Sequence, residues 1–470
     1  MMAPLASDAF VFFGATGDLA YMKIFPAIQA MIRHGQLDVP IIGVAKSGWD
    51  IGKLKERARD SVEKHGGVDE KAYAKLCSLL HYIDGDYYDA STYDALRKAL
   101  GDARRPLYYL AIPPSMFATV VSAICESGCA EEARVVVEKP FGRDLGSARE
   151  LNKILTSVFP EKAIFRIDHF LGKEPVQNIF YTRFANSIFE PIWNRNYIAC
   201  VQVTLAENFG TQGRGKFYEE AGAIRDVLQN HMLAIVSFLA MDAPSGDDPG
   251  MIRDEGTRLL RAIKPLDPAH VVRGQFRGYR QEPGVAAGSQ VETFVAVRLL
   301  IDTWRWAGVP FYIRAGKCLP VTSTTVTVEF KRPPRETFGE IVPAFSNHLR
   351  FRLGPDVSIG LGVRTKVPGE RMIGEDVELT VCQDESNAMA PYERLLGDAM
   401  RGETTLFAHE STVEEEWRII DPILEDVTPL YFYEQNTWGP DEAGRIVAPD
   451  ATWYDPKSTE NAPCAQSSGN

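Results

Sequence analysis

The sequence predicts an α/β domain followed by an α+β domain: an N-terminal Rossmann-type, doubly wound parallel sheet, then a C-terminal unit with a large, mostly antiparallel sheet. Three observations carry this. A short apolar run, Ala9 to Phe13, ends in Gly14-Ala15-Thr16-Gly17-Asp18 and leads into a helical pattern and a second apolar run. Apolar runs and helical patterns keep alternating to about residue 140, as βαβ units do. Beyond about residue 175 the apolar runs recur without regular helices between them, the mark of antiparallel pairing. At 470 residues the chain exceeds one ordinary core, so it divides into two domains, 1–174 and 175–470.

Each element has its own signal. Leu19, Met22, Phe25, Ile28 and Ile32 recur at helical spacing until Gly35, and Pro26 is expected to kink or loosen that helix. Val39 to Ala45 is the second strand. Leu107 to Ile112 and Val135 to Val137 are further strands, separated by a helix from Phe117 to Ser127. In the second domain Ala199 to Leu205, Glu292 to Ile301, Thr325 to Phe330 and Val357 to Val363 are strands. The polar tail after about Trp453 is expected to fray.

The formal net charge of −12 argues against nucleic acid or an anionic membrane as partner, since both attract basic proteins. Met1 to Phe10 contains no basic segment followed by an apolar one, and the longest nearly apolar run, Met232 to Met241, is about half a membrane span. Seven cysteines, widely spread and without a CxxC pair, read as free thiols, with Cys125 and Cys129 as buried structural thiols. A cytoplasmic protein is expected, with no metal.

The turn from Gly14 to Leu19 sits where a strand meets a helix. There, backbone N–H groups and the positive helix end approach a dinucleotide's pyrophosphate, making Gly14, Ala15, Thr16, Gly17, Asp18 and Leu19 the candidate cradle. A glycine turn without a ligand stays open as the alternative. The second strand ends in Val44-Ala45-Lys46-Ser47, without the carboxylate that NAD sites use for the ribose hydroxyls. Lys46, helped by Thr16, is therefore the candidate partner of a 2′-phosphate, which favours NADP and leaves NAD as a weaker or dual cofactor. A solvated lysine is the other reading.

Three motifs, Gly14-Ala-Thr-Gly-Asp-Leu-Ala20, Glu138-Lys-Pro-Phe-Gly142 and Arg166-Ile-Asp-His-Phe-Leu-Gly-Lys-Glu174, together resemble the glucose-6-phosphate dehydrogenase family. The resemblance continues in order through Phe209-Gly-Thr-Gln-Gly-Arg-Gly215, Ile224-Arg-Asp-Val-Leu-Gln-Asn-His231, Ile313-Arg-Ala-Gly-Lys317, Tyr392-Glu-Arg-Leu395, Trp417-Arg-Ile-Ile-Asp-Pro422 and Trp438-Gly-Pro440. It implies oxidation of glucose 6-phosphate at C1 to 6-phosphogluconolactone, with hydride passing to NADP. It makes 1–174 the dinucleotide-binding domain and 175–470 the domain for substrate and for assembly into a homodimer or homotetramer.

The resemblance also assigns roles. His231 becomes the proton acceptor and Asp168 the carboxylate that holds it; imidazole titrates near neutral pH, and a carboxylate on its other nitrogen fixes the tautomer. Without the resemblance, His231 on an apolar helix is a satisfied core histidine. His169 and Lys173 become the phosphate ligands, with Glu174-Pro175 opening a helix beside them. Glu207 and Asp226 accept from sugar hydroxyls, and Lys317 binds substrate. Asp226 lies five residues before His231, which on an unbroken α-helix sets the two roughly 140° apart, so a solvated salt bridge stays open for it. Lys139 bridges cofactor and substrate from a backbone that Pro140 biases to be extended. Tyr109 and Pro113, in the turn Ile112-Pro113-Pro114, line the dinucleotide site, with a buried aromatic as the alternative for Tyr109. Lys23 orients substrate and nicotinamide.

Three positions depart from the family pattern. Phe170 stands where tyrosine is usual and loses one hydroxyl from the phosphate site; Lys46 stands for an arginine and lacks its bidentate fork; Thr322 stands for a basic residue. Two other functions remain: an oxidoreductase of an unphosphorylated hexose, which leaves His169 and Lys173 without a purpose, and a catalytically silent NADP-sensing protein.

Overall fold

Six strands build the first sheet of this computed structural model, which describes residues 6–246, 248–335, 337–338, 347–383 and 389–457. They are β1 Ala9–Phe13, β2 Ile41–Ala45, β3 Leu80–Asp84, β4 Pro106–Leu110, β5 Arg134–Glu138 and β6 Ile164–Ile167, in the order β3-β2-β1-β4-β5-β6, all parallel. The order reverses at β1, so β1 and β4 diverge to their neighbours and open a crevice at their C-terminal ends, where the glycine turn lies. β1, β2 and β4 are buried at every position, the expected state of parallel strands covered on both faces.

β3 and β6 carry no clear strand pattern, for separate reasons. β3 (Leu-His-Tyr-Ile-Asp) is an edge strand, only partly buried. β6 hides a charge: Arg166 is fully buried, its guanidinium bonded to Glu161 at 2.6 and 3.1 Å and to Asn152 at 3.2 Å.

The expected first helix is two pieces. Ala20–Ile24 is a π-helical turn and Phe25–Arg33 an α-helix, with Pro26 in its first turn, where a missing N–H costs little. The compact unit built on this sheet comprises residues 1–174 together with 244–254 and 389–414, so two segments assigned by sequence to the second domain join the first. Leu395, Leu396 and Phe407 supply the reason: they bury themselves in the core with Ile28, Tyr109 and Phe165.

The second unit comprises 175–243, 255–388 and 415–470. Its nine strands are β7 Ile198–Ala206, β8 Val271–Phe276, β9 Phe294–Leu300, β10 Pro310–Gly316, β11 Ser323–Phe330, β12 His348–Gly354, β13 Ser358–Lys366, β14 Gly374–Cys382 and β15 Leu430–Tyr433, in the order β14-β13-β12-β11-β7-β10-β9-β8-β15. Pairing is antiparallel except β7 with β10 and β8 with β15, the mostly antiparallel sheet that the sequence predicts. The stretch after β7 differs from expectation, because Gly215–Ala223, Ile224–Met232 and Leu233–Ala240 are all helical. The apolar run at Met232 is thus a short buried helix, and no helix among the described residues is long and apolar enough to cross a membrane.

The tail is not frayed at Trp453. Arg314 is buried between the rings of Trp438 and Trp453, at 4.6 and 4.7 Å, and donates to Asp455 and to the Tyr454 carbonyl at 2.7 Å each. A buried guanidinium needs those acceptors, so residues to 457 are held on the sheet. Cys77, Cys125, Cys129, Cys200 and Cys318 are free thiols, but Cys125 is exposed and Cys382 is disulfide-bonded. Cys382 ends the outermost strand and is exposed, so burial does not shield its sulfur. Cys464 lies outside the described residues.

Candidate active site

In the first unit, β1 ends at Phe13 and the chain turns at Gly14 with φ +80°. A Cβ there would stand 2.1 Å from the Ala111 carbonyl oxygen, so only glycine fits. The Gly14 N–H donates to Val44 O and to Tyr87 Oη, both at 2.9 Å, and the Gly17 N–H to Gly14 O at 2.9 Å. The two glycines therefore shape the turn, with their own amides engaged inside it. Ala15 is buried, Thr16 and Leu19 are half-buried, and Gly17 and Asp18 are exposed. Close passage at Gly14 and exposure at Gly17 and Asp18 leave a shallow backbone cradle beside the crevice, and that geometry fits a dinucleotide phosphate.

Lys46 follows β2 and is exposed, with its Nζ 2.7 Å from Asp86 Oδ2. The pairing holds its ammonium above its ordinary pKa, chiefly through the Asp86 hydrogen bond. It is thus an ion-paired lysine, not a purely solvated one. Pro113 is exposed beyond β4, and Lys23 is exposed on the π-helical turn. Tyr109 is fully buried and its hydroxyl donates to Glu138.

Lys139 directly follows β5, and its peptide to Pro140 is cis. The loop after β6 is tightly wound: Asp168 Oδ1 accepts from the Phe170 N–H at 2.9 Å, Asp168 O from Leu171 N–H and Phe170 O from Lys173 N–H, each at 3.0 Å. Gly172 lets it approach the helix Pro391–Arg401, since a Cβ would meet the Leu395 side chain at 2.9 Å. His169 and Lys173 are half-buried, and a helix starts at Glu174 as the Glu174-Pro175 pair predicts. Phe170 is buried, with its ring 3.7 Å from Lys173 Nζ and beside His169. The ring at position 170 thus steadies the lysine through its π face.

In the second unit Lys317 closes β10 and is buried, with its Nζ 2.5 Å from Glu207 Oε2, at the corner after β7. The ammonium also lies 5.0 Å from the ring of Tyr218 and 5.4 Å from that of Phe209. Burial pushes the Tyr218 hydroxyl well above its ordinary pKa, and the charges of Asp226, Glu207 and Glu292 add to it. Lys317, Glu207 and Asp226 therefore converge around one buried tyrosine. Thr322, in place of a cation, gives its hydroxyl to Asn208 Oδ1 at 2.7 Å and accepts from Asn208 N–H, bracing that corner.

His231 is buried on Ile224–Met232, and this segment is π-helical. Its i→i+5 bonding brings residues five apart onto one face. Asp226 and His231 thus share a face, against the 140° separation that α-helical spacing predicts, and Asp226 is half-buried. The π segment begins where Gly222, at φ +62°, leaves room for Glu292, whose carboxylate accepts from the Ile224 N–H at 3.0 Å.

The family model for the NAD binding domain of glucose-6-phosphate dehydrogenase matches residues 11–178, and that for the C-terminal domain matches 180–455. The chain belongs to the glucose-6-phosphate dehydrogenase family. Glucose-6-phosphate 1-dehydrogenase 1 of Mycobacterium tuberculosis is 42% identical over 96% of this chain and 97% of that protein, and the Rhizobium meliloti enzyme 38% identical over 96% and 98%. A crystal structure of the Mycobacterium avium enzyme has a TM-score of 0.91 at 42% identity, covering 97% of this chain and 99% of that one. A glucose-6-phosphate dehydrogenase in complex with glucose 6-phosphate has a TM-score of 0.89 at 33% identity, covering 97% and 100%. The yeast regulator Gal80p, at 9% identity and a TM-score of 0.53, shares the fold alone.

Within this family frame, four groups escaped the sequence reading. Glu138 and Tyr392 lie in quoted motifs but carried no role there; Asp86 and Tyr218 lie in no motif.

Proposed function

We infer that this protein oxidises D-glucose 6-phosphate at C1 to 6-phospho-D-glucono-1,5-lactone, with NADP as hydride acceptor, the first oxidative step of the pentose phosphate pathway. The family match along both halves of the chain carries this reading. The loop with His169 and Lys173 supports a phosphorylated substrate, because it sets an ammonium and an imidazole, both able to donate, beside a helix start.

In this reading His231 takes the proton of the C1 hydroxyl as the C1–H bond yields its electron pair, and the ring oxygen's carbon becomes a lactone carbonyl. Asp168 holds the imidazole in the tautomer that accepts and steadies the cation that forms. His169 and Lys173 hold the substrate phosphate, while Glu207, Asp226 and Lys317 orient the sugar hydroxyls. Gly14 to Leu19, Pro113 and Lys46 hold the dinucleotide, with Lys46 on its 2′-phosphate; Lys139 and Lys23 place substrate against it. Bound NADP would supply the acceptor for the hydride. A cytoplasmic homodimer or homotetramer completes the proposal, and light scattering of the purified chain would size it.

Absorbance at 340 nm tests the reaction. Glucose 6-phosphate with NADP should give rapid reduction, glucose far less, and NAD less than NADP. Equal rates with glucose would favour an enzyme of free hexoses, and no reduction with measurable NADP binding would favour a sensor.

A further inference from the structure

The C-terminal ends of β4, β5 and β6 bring together four ionisable groups that no role yet explains as a set. Glu138 ends β5, paired in register with Ile167, the residue before Asp168. Tyr109 on β4 donates its hydroxyl to the Glu138 carboxylate. Tyr392, in the first turn of the helix Pro391–Arg401, bonds to the same carboxylate. Lys139 is the next residue along the chain. The groups facing Glu138 are thus Tyr109 from β4, Tyr392 from the helix, Asp168 after β6, and Lys139 on its own strand.

We propose that Glu138 is a positioning residue for the reaction: as a carboxylate it accepts from Tyr109 and Tyr392 at once, and so anchors the end of β5 from which Lys139 reaches the substrate. This rests on the reading that Lys139 meets glucose 6-phosphate. The chemistry is that of donors and acceptors. An ionised carboxylate only accepts, which suits two phenolic donors; a protonated one turns one oxygen into a donor, and two phenolic donors are then no longer matched by two acceptor oxygens. Both tyrosines stay neutral at working pH, because burial drives their hydroxyls far up.

The anchor therefore depends on pH. Burial pushes the Glu138 carboxyl up to about 7, and the charge of Asp168 adds to this; the two tyrosine hydrogen bonds and the Lys139 ammonium oppose it. The form that holds both tyrosines exists above that value and is lost as pH falls through it. Substrate binding should weaken in the same direction.

Glu138→Gln tests this, with KM for glucose 6-phosphate and kcat measured from about pH 6 to 9 beside the wild type. The expected result is a KM raised about fivefold at the alkaline end with kcat within about twofold, the KM ratio falling toward one near pH 6, where the wild-type residue is also neutral. Taking the ratio cancels titrations shared by both proteins, including that of the substrate phosphate. Tyr392→Phe removes one donor that lowers the Glu138 pKa, so its KM limb should move up by about half a pH unit or more. A ratio flat across the range, or an unmoved limb in Tyr392→Phe, overturns the proposal. A readout without substrate is the tyrosine ultraviolet difference spectrum between pH 6 and 8.5. Wild type should show a transition near 7 that Glu138→Gln lacks, and its absence from wild type also overturns the proposal. Lys139→Met in the kinetic assay separates the two readings: an unchanged KM removes Lys139 from the substrate site, while the spectral transition still reports on Glu138.

Discussion

Gly14 and Ala111 approach so closely that a single added carbon on Gly14 would stand 2.1 Å from the Ala111 carbonyl oxygen. The contact locks the glycine turn onto the end of β4, and the turn's φ of +80° excludes ordinary side chains a second time. Gly14→Ala should therefore cost about 1–3 kcal/mol in strain alone, with a further penalty for displacing β4. We expect lower resistance to urea and an NADP dissociation constant raised at least about tenfold by fluorescence titration. Wild-type values for both would show that the turn adapts and the cradle lies elsewhere.

His231→Asn keeps a side chain of similar reach and removes the base. Turnover should fall about 10²- to 10⁴-fold, with KM for glucose 6-phosphate changed far less. Turnover within threefold of wild type would take His231 out of the mechanism.

Lys46 and Asp86 form an exposed pair that solvent screens and that contributes little, so a dianionic 2′-phosphate can displace the carboxylate. Lys46→Ala should raise KM for NADP several-fold and leave that for NAD nearly unchanged, with the difference shrinking as salt screens the contact. Asp86→Asn frees the lysine and should lower KM for NADP about twofold. If both cofactors respond alike to Lys46→Ala, the lysine plays no part in selecting between them.

Phe170 presents its ring to the Lys173 ammonium at 3.7 Å. A cation–π contact of this kind is worth about 0.5–2 kcal/mol, so Phe170→Leu should raise KM for glucose 6-phosphate about threefold to tenfold. Turnover should hold, because the phosphate is bound alike in ground and transition states. Kinetics with glucose as substrate provide the control: an equal rise there would mean that Phe170 supports the fold and not the phosphate site.

Local pattern and local chemistry were readable from the chain. The run from Ala9 to Phe13, the glycine turn and the alternation that follows specify a parallel sheet, because burial on both faces demands uninterrupted apolar strands. The nine-residue segment from Arg166 and the segment ending at His231 carried the family resemblance, and the family models agree with it. Tertiary structure decided what depends on partners far apart in sequence. Tyr109, Glu138 and Tyr392 meet at one carboxylate although 283 positions separate the first from the last, and no periodicity records that meeting. Lys46 finds Asp86 only because β2 and β3 pair, and β3 is too polar an edge to announce itself. Asp226 and His231 come to one face because Ile224–Met232 winds as a π-helix. Sequence spacing predicts side-chain direction only once the helical pitch is known, and here Gly222 and the buried Glu292 set the start of that wider winding.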